Sequence, residues 1–270
     1  MRRHGVLAAV VVGLFTLGGM LSGLSVSAAD RIAGASGDIV ITPIVHSSLQ
    51  LEYAGTVIHI DPWSLGDLSD AKLADLILVS DDPGHHLDPK AIARLRKPGA
   101  PVVMPAAAQA KFPDGVVLAM GERKTFAGVT VEAIPAYDIK PGEPWHPKGK
   151  ANGYLVTLGG KRIYLAGVTE CVAEIRALKD IDVAFMPMNL PLERMTPAAT
   201  AECIRAIKPK VVYLYHYDND YASRLTNPRA TVPAGAEARV AASLQTLKDA
   251  LQRQPIEVRM GNWYPPVAGK

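Results

Sequence analysis

The residues best suited to chemistry lie in one stretch, Ser80 to Asp88, which carries two adjacent histidines and three carboxylates. Imidazole and carboxylate groups bind divalent metals or transfer protons. A strand-like apolar run, residues 76–79, precedes the stretch, and a helix-like run, residues 89–96, follows it. Loops at strand ends are where rigid scaffolds usually hold functional groups. The sequence therefore predicts a site at a strand-to-helix turn, with Asp88 as the N-cap of the helix.

Strand-like and helix-like runs alternate on both sides of this turn. The first half has a hairpin around Ala54-Gly55 and then a β-α-β-α-β order over residues 73–120. The second half has hairpins at Ala127-Gly128 and Gly159-Gly160, followed by further α/β units. This order predicts an α/β (α+β) fold in one domain, residues 30–270, with two mixed β-sheets packed face to face and helices outside.

Composition and charge bear on the kind of partner. The 270 residues are 49% hydrophobic and 20% charged, which is ordinary for a globular chain. The net charge is +3, and loss of Arg2 and Arg3 with an N-terminal segment leaves +3 − 2 = +1. The chain has no basic stripe or basic helix, so a nucleic-acid partner is not expected. The expected partner is a small molecule, and the oligomeric state is left open.

The N-terminus and the cysteines bear on the compartment. Residues 1–29 combine a basic start, a long apolar run and small residues at 25–29, a pattern typical of a secretory signal. An uncleaved anchor is the alternative, because the apolar run approaches membrane-spanning length. Both readings predict a periplasmic or secreted protein. Cys171 and Cys203 could pair there or stay as two buried thiols, and the sequence leaves both open.

Six blocks occur in a fixed order over about residues 38–260. They are His46, Ile60-Asp61-Pro62-Trp63, the turn at 80–88, Pro135-Ala136-Tyr137, Tyr164 to Thr169, and Val212 to Tyr217. In this order they resemble the metallo-β-lactamase superfamily, and most closely the branch that contains the ascorbate-6-phosphate lactonase. The resemblance implies a four-layer αββα sandwich with its site at one edge of the two sheets. It also implies a hydrolase that uses one or two divalent metals.

The chain departs from that family at the metal ligands. Members carry His-x-His-x-Asp-His at the central turn, whereas here Asp81 stands at the first His, Pro83 at the second and His85 at the Asp. Val168 stands where members have a metal-bridging Asp. Proline and valine have no donor atom, so two neighbouring cations would lack the anion that offsets their repulsion. The sequence therefore predicts at most one metal ion.

A mononuclear site is still available to the remaining ligands. His85, His86 and His216 could form a three-histidine set with an open fourth position, which is the composition of catalytic zinc sites. The predicted cofactor is one zinc ion or none. Asp81 or Asp138 would transfer protons. The residues expected to contact substrate are His46, Tyr137, Trp145, His146 and Asn189.

Three functions are compatible with these residues. The first is an exported hydrolase that acts on a small ester, lactone or phosphate-bearing molecule. The second is a non-catalytic pseudoenzyme of the same fold that binds a small molecule or a partner protein. The third is metal-free acid–base chemistry by Asp81, His86 and His216. The fold alone does not decide among them.

Overall fold

The computed structural model describes residues 1, 29–142 and 144–265. The predicted signal segment, residues 1–29, lies outside these ranges apart from its two end residues. In the described part of the chain, no helix has the length and apolar character needed to cross a membrane.

In the residues that the structure describes, fourteen strands form two seven-stranded sheets. The first sheet contains β1 (Asp30–Gly34), β2 (Gly37–Val45), β3 (Ser48–Tyr53), β4 (Thr56–Ile60), β5 (Leu76–Leu78), β6 (Val102–Met104) and β7 (Val116–Val117). The second contains β8 (Arg123–Phe126), β9 (Val129–Ala136), β10 (Ala151–Leu158), β11 (Lys161–Leu165), β12 (Val183–Pro187), β13 (Val211–Tyr215) and β14 (Glu257–Met260). The helices are α1 (Pro89–Leu95), α2 (Ala106–Gln109), α3 (Ala173–Arg176), α4 (Pro197–Ile207), α5 (Asn219–Thr226) and α6 (Ala236–Leu251).

The two sheets share one plan. In the first, β1 to β4 are antiparallel and β4 to β7 are parallel. In the second, β8 to β11 are antiparallel and β11 to β14 are parallel. Hairpins permit antiparallel neighbours, whereas parallel neighbours need a crossover connection. The predicted class, two mixed sheets with helices, is confirmed.

Strand side chains alternate between two apolar layers, as the pleat requires. Leu76 and Leu78 of β5 belong to a core that also contains Val131 and Tyr164 of the second sheet. Ile77, between them, packs in a separate cluster with Ile92 of α1. Alternating side chains of a single strand therefore contribute both to the core between the sheets and to the apolar layer under the helices.

The helix termini follow their local sequence. The Asp88 side chain accepts from the backbone N–H of Lys90, and the Thr196 side chain accepts from that of Ala199. Both caps were predicted. The sequence did not predict β1 or α5, although Asp218 caps α5 by accepting from the backbone N–H of Tyr221. These two elements are short, five and eight residues, so packing on neighbours determines them.

A disulfide bond joins Cys171 and Cys203, whose Cα atoms are 5.6 Å apart. It links the segment before α3 to the middle of α4. The structure thus selects the paired alternative over two free thiols.

Candidate active site

Two histidines of the site occupy left-handed backbone positions at strand ends. His46 connects β2 to β3 with φ 57°, and His216 follows β13 with φ 50°. The backbone N–H of His216 donates to the carbonyl of His46 at 3.0 Å, which joins an end of each sheet. Such backbone is uncommon in non-glycine residues, and it clusters at functional sites. The two imidazoles are therefore held together by main-chain geometry.

Three imidazoles converge at this edge. The ring centroids of His46 and His216 are 3.7 Å apart, and the His85 ring lies 5.5 Å from the first and 5.6 Å from the second. One nitrogen from each ring lies within 4.8 Å of the other two. His46, expected only as a substrate contact, thus stands in the group that could hold a metal; we call these three residues the histidine triplet.

His86 adjoins the triplet but has its own partner. Its ring stacks on that of His216 at 5.3 Å, and its Nδ1 lies 2.7 Å from Oδ2 of Asp61. Asp61 also accepts from the backbone N–H and the hydroxyl of Ser80 at 2.7 and 2.6 Å. Burial opposes protonation of His86, but the Asp61 carboxylate outweighs it, so the pKa of His86 is raised above 6.5. Its Nε2 has no hydrogen-bond partner among the described residues. The ligand role expected of His86 stays a prediction.

The triplet is electrically neutral near pH 7. Burial, followed by repulsion from the neighbouring imidazoles, lowers the pKa of His46 and of His216 well below 6.5. Burial and the nearby His86 lower the pKa of His85 to about 3. Metal binding requires an unprotonated imidazole nitrogen, so this environment keeps all three residues ready to act as ligands.

The two carboxylates expected to transfer protons lie on either side of one imidazole. Nε2 of His146 is 3.3 Å from Oδ2 of Asp81, and Nδ1 is 3.5 Å from Oδ1 of Asp138. Both carboxylates are fully buried. Burial disfavours the Asp81 carboxylate, but its contact with His146 and the charges nearby outweigh that effect and lower the pKa of Asp81 below 3.8.

Arg194 supports the outer side of this cluster. Its Nε lies 3.4 Å from Asp138 and 3.6 Å from Glu170. Glu170 in turn accepts from the backbone N–H groups of Ile139 and Lys140 at 2.5 and 2.7 Å. A buried guanidinium between two carboxylates anchors the start of the loop that carries His146. Arg194 was not singled out in the sequence, although the loop that carries it, residues 189–195, resembles a family loop near the metal site.

The histidine triplet opens into a cavity of about 420 Å³. Its walls come from several loops and from α5. The lining residues are His46, Trp63, Pro83, His85, Trp145, His146, Val168, Leu190, Pro191, His216, Asn219, Ala222, Ser223 and Thr226. The size falls in the usual range for small-molecule sites, about 300–1,000 Å³.

The other predicted substrate contacts divide between this cavity and its surroundings. His46, Trp145 and His146 line it. Tyr137 points its hydroxyl at Glu174, to which it donates at 3.0 Å, and is not among the described lining residues. Asn189 contacts a residue of the cavity wall and does not line the cavity itself. Its backbone carbonyl accepts a hydrogen bond at 2.8 Å from the side chain of Asn219, which is a lining residue.

Two residues that the sequence reading did not select also shape the site. The Tyr264 hydroxyl lies 3.0 Å from Nδ1 of His46 and accepts from the backbone N–H groups of Tyr217 and Asp218. Gly167 has φ +66°, and a Cβ there would meet the carbonyl of Asn152 at 2.9 Å. It therefore lets the next residue, Val168, reach the cavity wall. Tyr264 had no local signal, because its partners are remote in sequence.

The triplet matches the donor set of a zinc-like ion. Both ring nitrogens of His216 are buried without a hydrogen-bond partner in the described ranges. Unpaired buried polar atoms are costly, about 1–3 kcal/mol each, unless something binds them. Nitrogens on one tetrahedral zinc lie about 3.4 Å apart, so separations within 4.8 Å would close by at most about 1.4 Å. Imidazole ligands suit zinc and related transition metals.

Comparisons with known proteins agree with this fold. The model of a family described as the beta-lactamase superfamily domain matches residues 25–216. A UPF0173 metal-dependent hydrolase of Enterococcus faecalis is 31% identical over 192 residues, covering 64% of this chain and 84% of the relative. One from Thermus thermophilus is 29% identical over 184 residues, covering 64% of this chain and 81% of the relative.

Solved structures extend the likeness over more of the chain. A crystal structure from Parabacteroides distasonis, described as that of a candidate metal-dependent hydrolase, superposes with a TM-score of 0.74 at 35% identity. The match covers 87% of this chain and 99% of that one. A metallo hydrolase from Ignicoccus hospitalis, 20% identical with a TM-score of 0.60, shares the fold.

These matches define the class of the protein. It has the metallo-β-lactamase fold, and its relatives are described as metal-dependent hydrolases. The chain belongs to the beta-lactamase superfamily. The superfamily predicted from the six sequence blocks is confirmed, whereas the ascorbate-6-phosphate lactonase branch stays a prediction.

Proposed function

We propose that the protein is an exported metal-dependent hydrolase with one divalent metal ion held by His46, His85 and His216. The observation that carries this proposal is the convergence of three neutral imidazoles on a cavity of about 420 Å³. The two unpaired nitrogens of His216 support it. When bound, a zinc ion with three histidine ligands lowers the pKa of a coordinated water to about 7 and polarises a substrate carbonyl.

The chain's own contribution to proton transfer centres on His146. It lines the cavity, whereas Asp81 and Asp138 are buried behind it. We assign His146 to exchange a proton with the reacting molecule, because a general acid or base must reach the atom that it serves. Asp81 and Asp138, predicted to transfer protons themselves, would then hold and orient the His146 ring.

Export is supported by two independent features. Residues 1–29 have the composition of a secretory signal. The Cys171–Cys203 bond is of a kind that persists in oxidising compartments. We therefore propose a periplasmic or secreted location.

The test is metal analysis of the purified protein lacking residues 1–29, by mass spectrometry, beside hydrolysis of chromogenic esters. About one zinc per chain is expected. His46→Ala, His85→Ala and His216→Ala should each lose it. His59→Gln is the matched control, because His59 is a buried histidine whose Nε2 contacts the Lys72 carbonyl away from the cavity. His86→Ala tests the ligand role expected of that residue. A protein that binds no zinc, copper, iron or nickel would refute the proposal.

A pseudoenzyme is the second candidate, and one observation favours it. Pro83 and Val168, which have no donor atoms, line the cavity next to the imidazoles. A protein that binds one metal ion or none and turns over no ester, lactone or phosphate would support this second candidate.

A further inference from the structure

The cavity walls are apolar or uncharged beyond the histidines. Trp63 and Trp145 supply aromatic surface, and Val168, Leu190 and Ala222 supply aliphatic surface. The polar positions contributed by α5 are an amide and two hydroxyls. Among the described lining residues, none is a lysine or an arginine. A phosphate group in protein sites is usually held by such cations, because charge-assisted hydrogen bonds offset its loss of hydration.

The fixed charges behind the walls also disfavour an anion. Three carboxylates, those of Asp81, Asp138 and Glu170, lie behind this wall. The guanidinium of Arg194 contacts two of them, Asp138 and Glu170. Lys140, which reaches the same loop, pairs with Glu193 at 3.4 Å. These protein charges sum to net negative, so they would offset part of the attraction between a dianionic substrate and a bound metal ion, whereas a neutral substrate would not feel that opposition.

Trp145 provides an apolar surface on an anchored backbone. Its backbone N–H donates to Oδ2 of Asp138 at 2.8 Å, yet its side chain is 55% exposed. The side chain also borders a small cleft with Leu190 and Pro191, which continues the apolar wall. A half-exposed tryptophan whose backbone is anchored beside an apolar cavity is suited to cover an apolar part of a ligand.

Building on the proposed hydrolase function, we propose that the site takes neutral carboxylic esters or lactones with an apolar acyl part, and not phosphate esters. In this reaction, the bond between the acyl carbon and the alkoxy oxygen breaks. The oxygen of water bonds to the acyl carbon, one proton of water passes to the departing oxygen, and the products are a carboxylic acid and an alcohol. When the substrate is a lactone, the carboxylic acid and the alcohol are parts of one product molecule.

The experiment compares matched chromogenic probes on the zinc-loaded protein. p-Nitrophenyl acetate, butyrate and hexanoate are measured beside p-nitrophenyl phosphate and bis-p-nitrophenyl phosphate. We expect kcat/KM to rise by roughly fourfold per added methylene until the cavity is filled. We expect hydrolysis of both phosphates to be at least a hundredfold weaker than that of the hexanoate.

Two variants test the role of the wall. Trp145→Ala should remove most of the chain-length rise, so that kcat/KM falls more for the hexanoate than for the acetate. The control is Met260→Ala, because Met260 is a partly exposed residue of β14 outside the cavity. This variant should change kcat/KM for neither the acetate nor the hexanoate. Ser223→Arg places a cation at the α5 wall and should raise phosphate hydrolysis relative to acyl hydrolysis.

The outcomes separate this inference from the proposed function. A preference for the phosphates, or acyl rates that do not change with chain length, would overturn the substrate class and leave a hydrolase. With no turnover of any probe, the hydrolase proposal fails, and binding then tests the substrate class alone. N-(4-nitrophenyl)hexanamide should quench tryptophan fluorescence at a concentration at least tenfold lower than p-nitrophenyl phosphate does. Quenching by p-nitrophenyl phosphate at the lower concentration would overturn the proposed substrate class.

Discussion

Asp61→Ala should be among the most destabilising single substitutions near the site. The Asp61 carboxylate is fully buried and is contacted by the backbone N–H and hydroxyl of Ser80 and by Nδ1 of His86. Its removal leaves buried donors unpaired, at about 1–3 kcal/mol each, and deprives the buried imidazole of its counter-ion. Removing one partner of a buried ion pair costs about 3–5 kcal/mol, and we expect a loss in that range.

Urea unfolding followed by tryptophan fluorescence measures this loss, from the midpoint and the slope of the transition. A loss of about 3–5 kcal/mol is a large part of a typical domain stability of about 5–15 kcal/mol. Asp61→Asn, which keeps the shape and one acceptor, should lose less than the alanine variant. The control is Asp114→Ala at an exposed position, with an expected change within about 0.5 kcal/mol. An alanine variant within about 1 kcal/mol of the parent, at an unchanged slope, would refute the reasoning.

Three further predictions concern the stability of the fold. Replacing Cys171 and Cys203 by serine opens a loop of sequence separation 32 and should lower the free energy of unfolding by about 3.5 kcal/mol, measured in urea without reductant. Gly167→Ala should cost more than about 1 kcal/mol by thermal unfolding, because the alanine Cβ has no room and φ is positive. Burial opposes the Asp182 carboxylate, but hydrogen bonds, chiefly from Lys210, outweigh it and lower its pKa below 3.8. Asp182→Asn should therefore cost about 1 kcal/mol at pH 6, and the cost should vanish as pH falls below 3.8; a cost independent of pH would contradict this.

Most of the fold could be predicted because its signals are local. The hairpin at Ala54-Gly55 and the caps Asp88 and Thr196 depend on residues a few positions apart, and all three are present. Strand β13 and helix α6 also have the predicted bounds. β1 and α5 were missed, because five and eight residues are too short for their own sequences to specify an element.

The candidate site was only partly predictable. The sequence placed His85 and His216 at one edge, and their ring centroids are 5.6 Å apart. It expected His46 near the site as a substrate contact and not as a metal ligand, because a histidine in the middle of an apolar stretch reads as part of a strand. The left-handed backbone at His46 ends β2 there, and the hydrogen bond from His216 N–H brings the two rings together.

By itself, the sequence determined the order of the elements, the two mixed sheets and the superfamily, because apolar periodicity, turn residues and motif order are properties of neighbouring residues. It also excluded Pro83 and Val168 as ligands, since neither side chain has a donor atom. Only the tertiary structure decided the histidine triplet, the pairing of His86 with Asp61 and the apolar cavity. These features depend on where strand ends from two sheets meet, and that meeting is set by packing across the whole core.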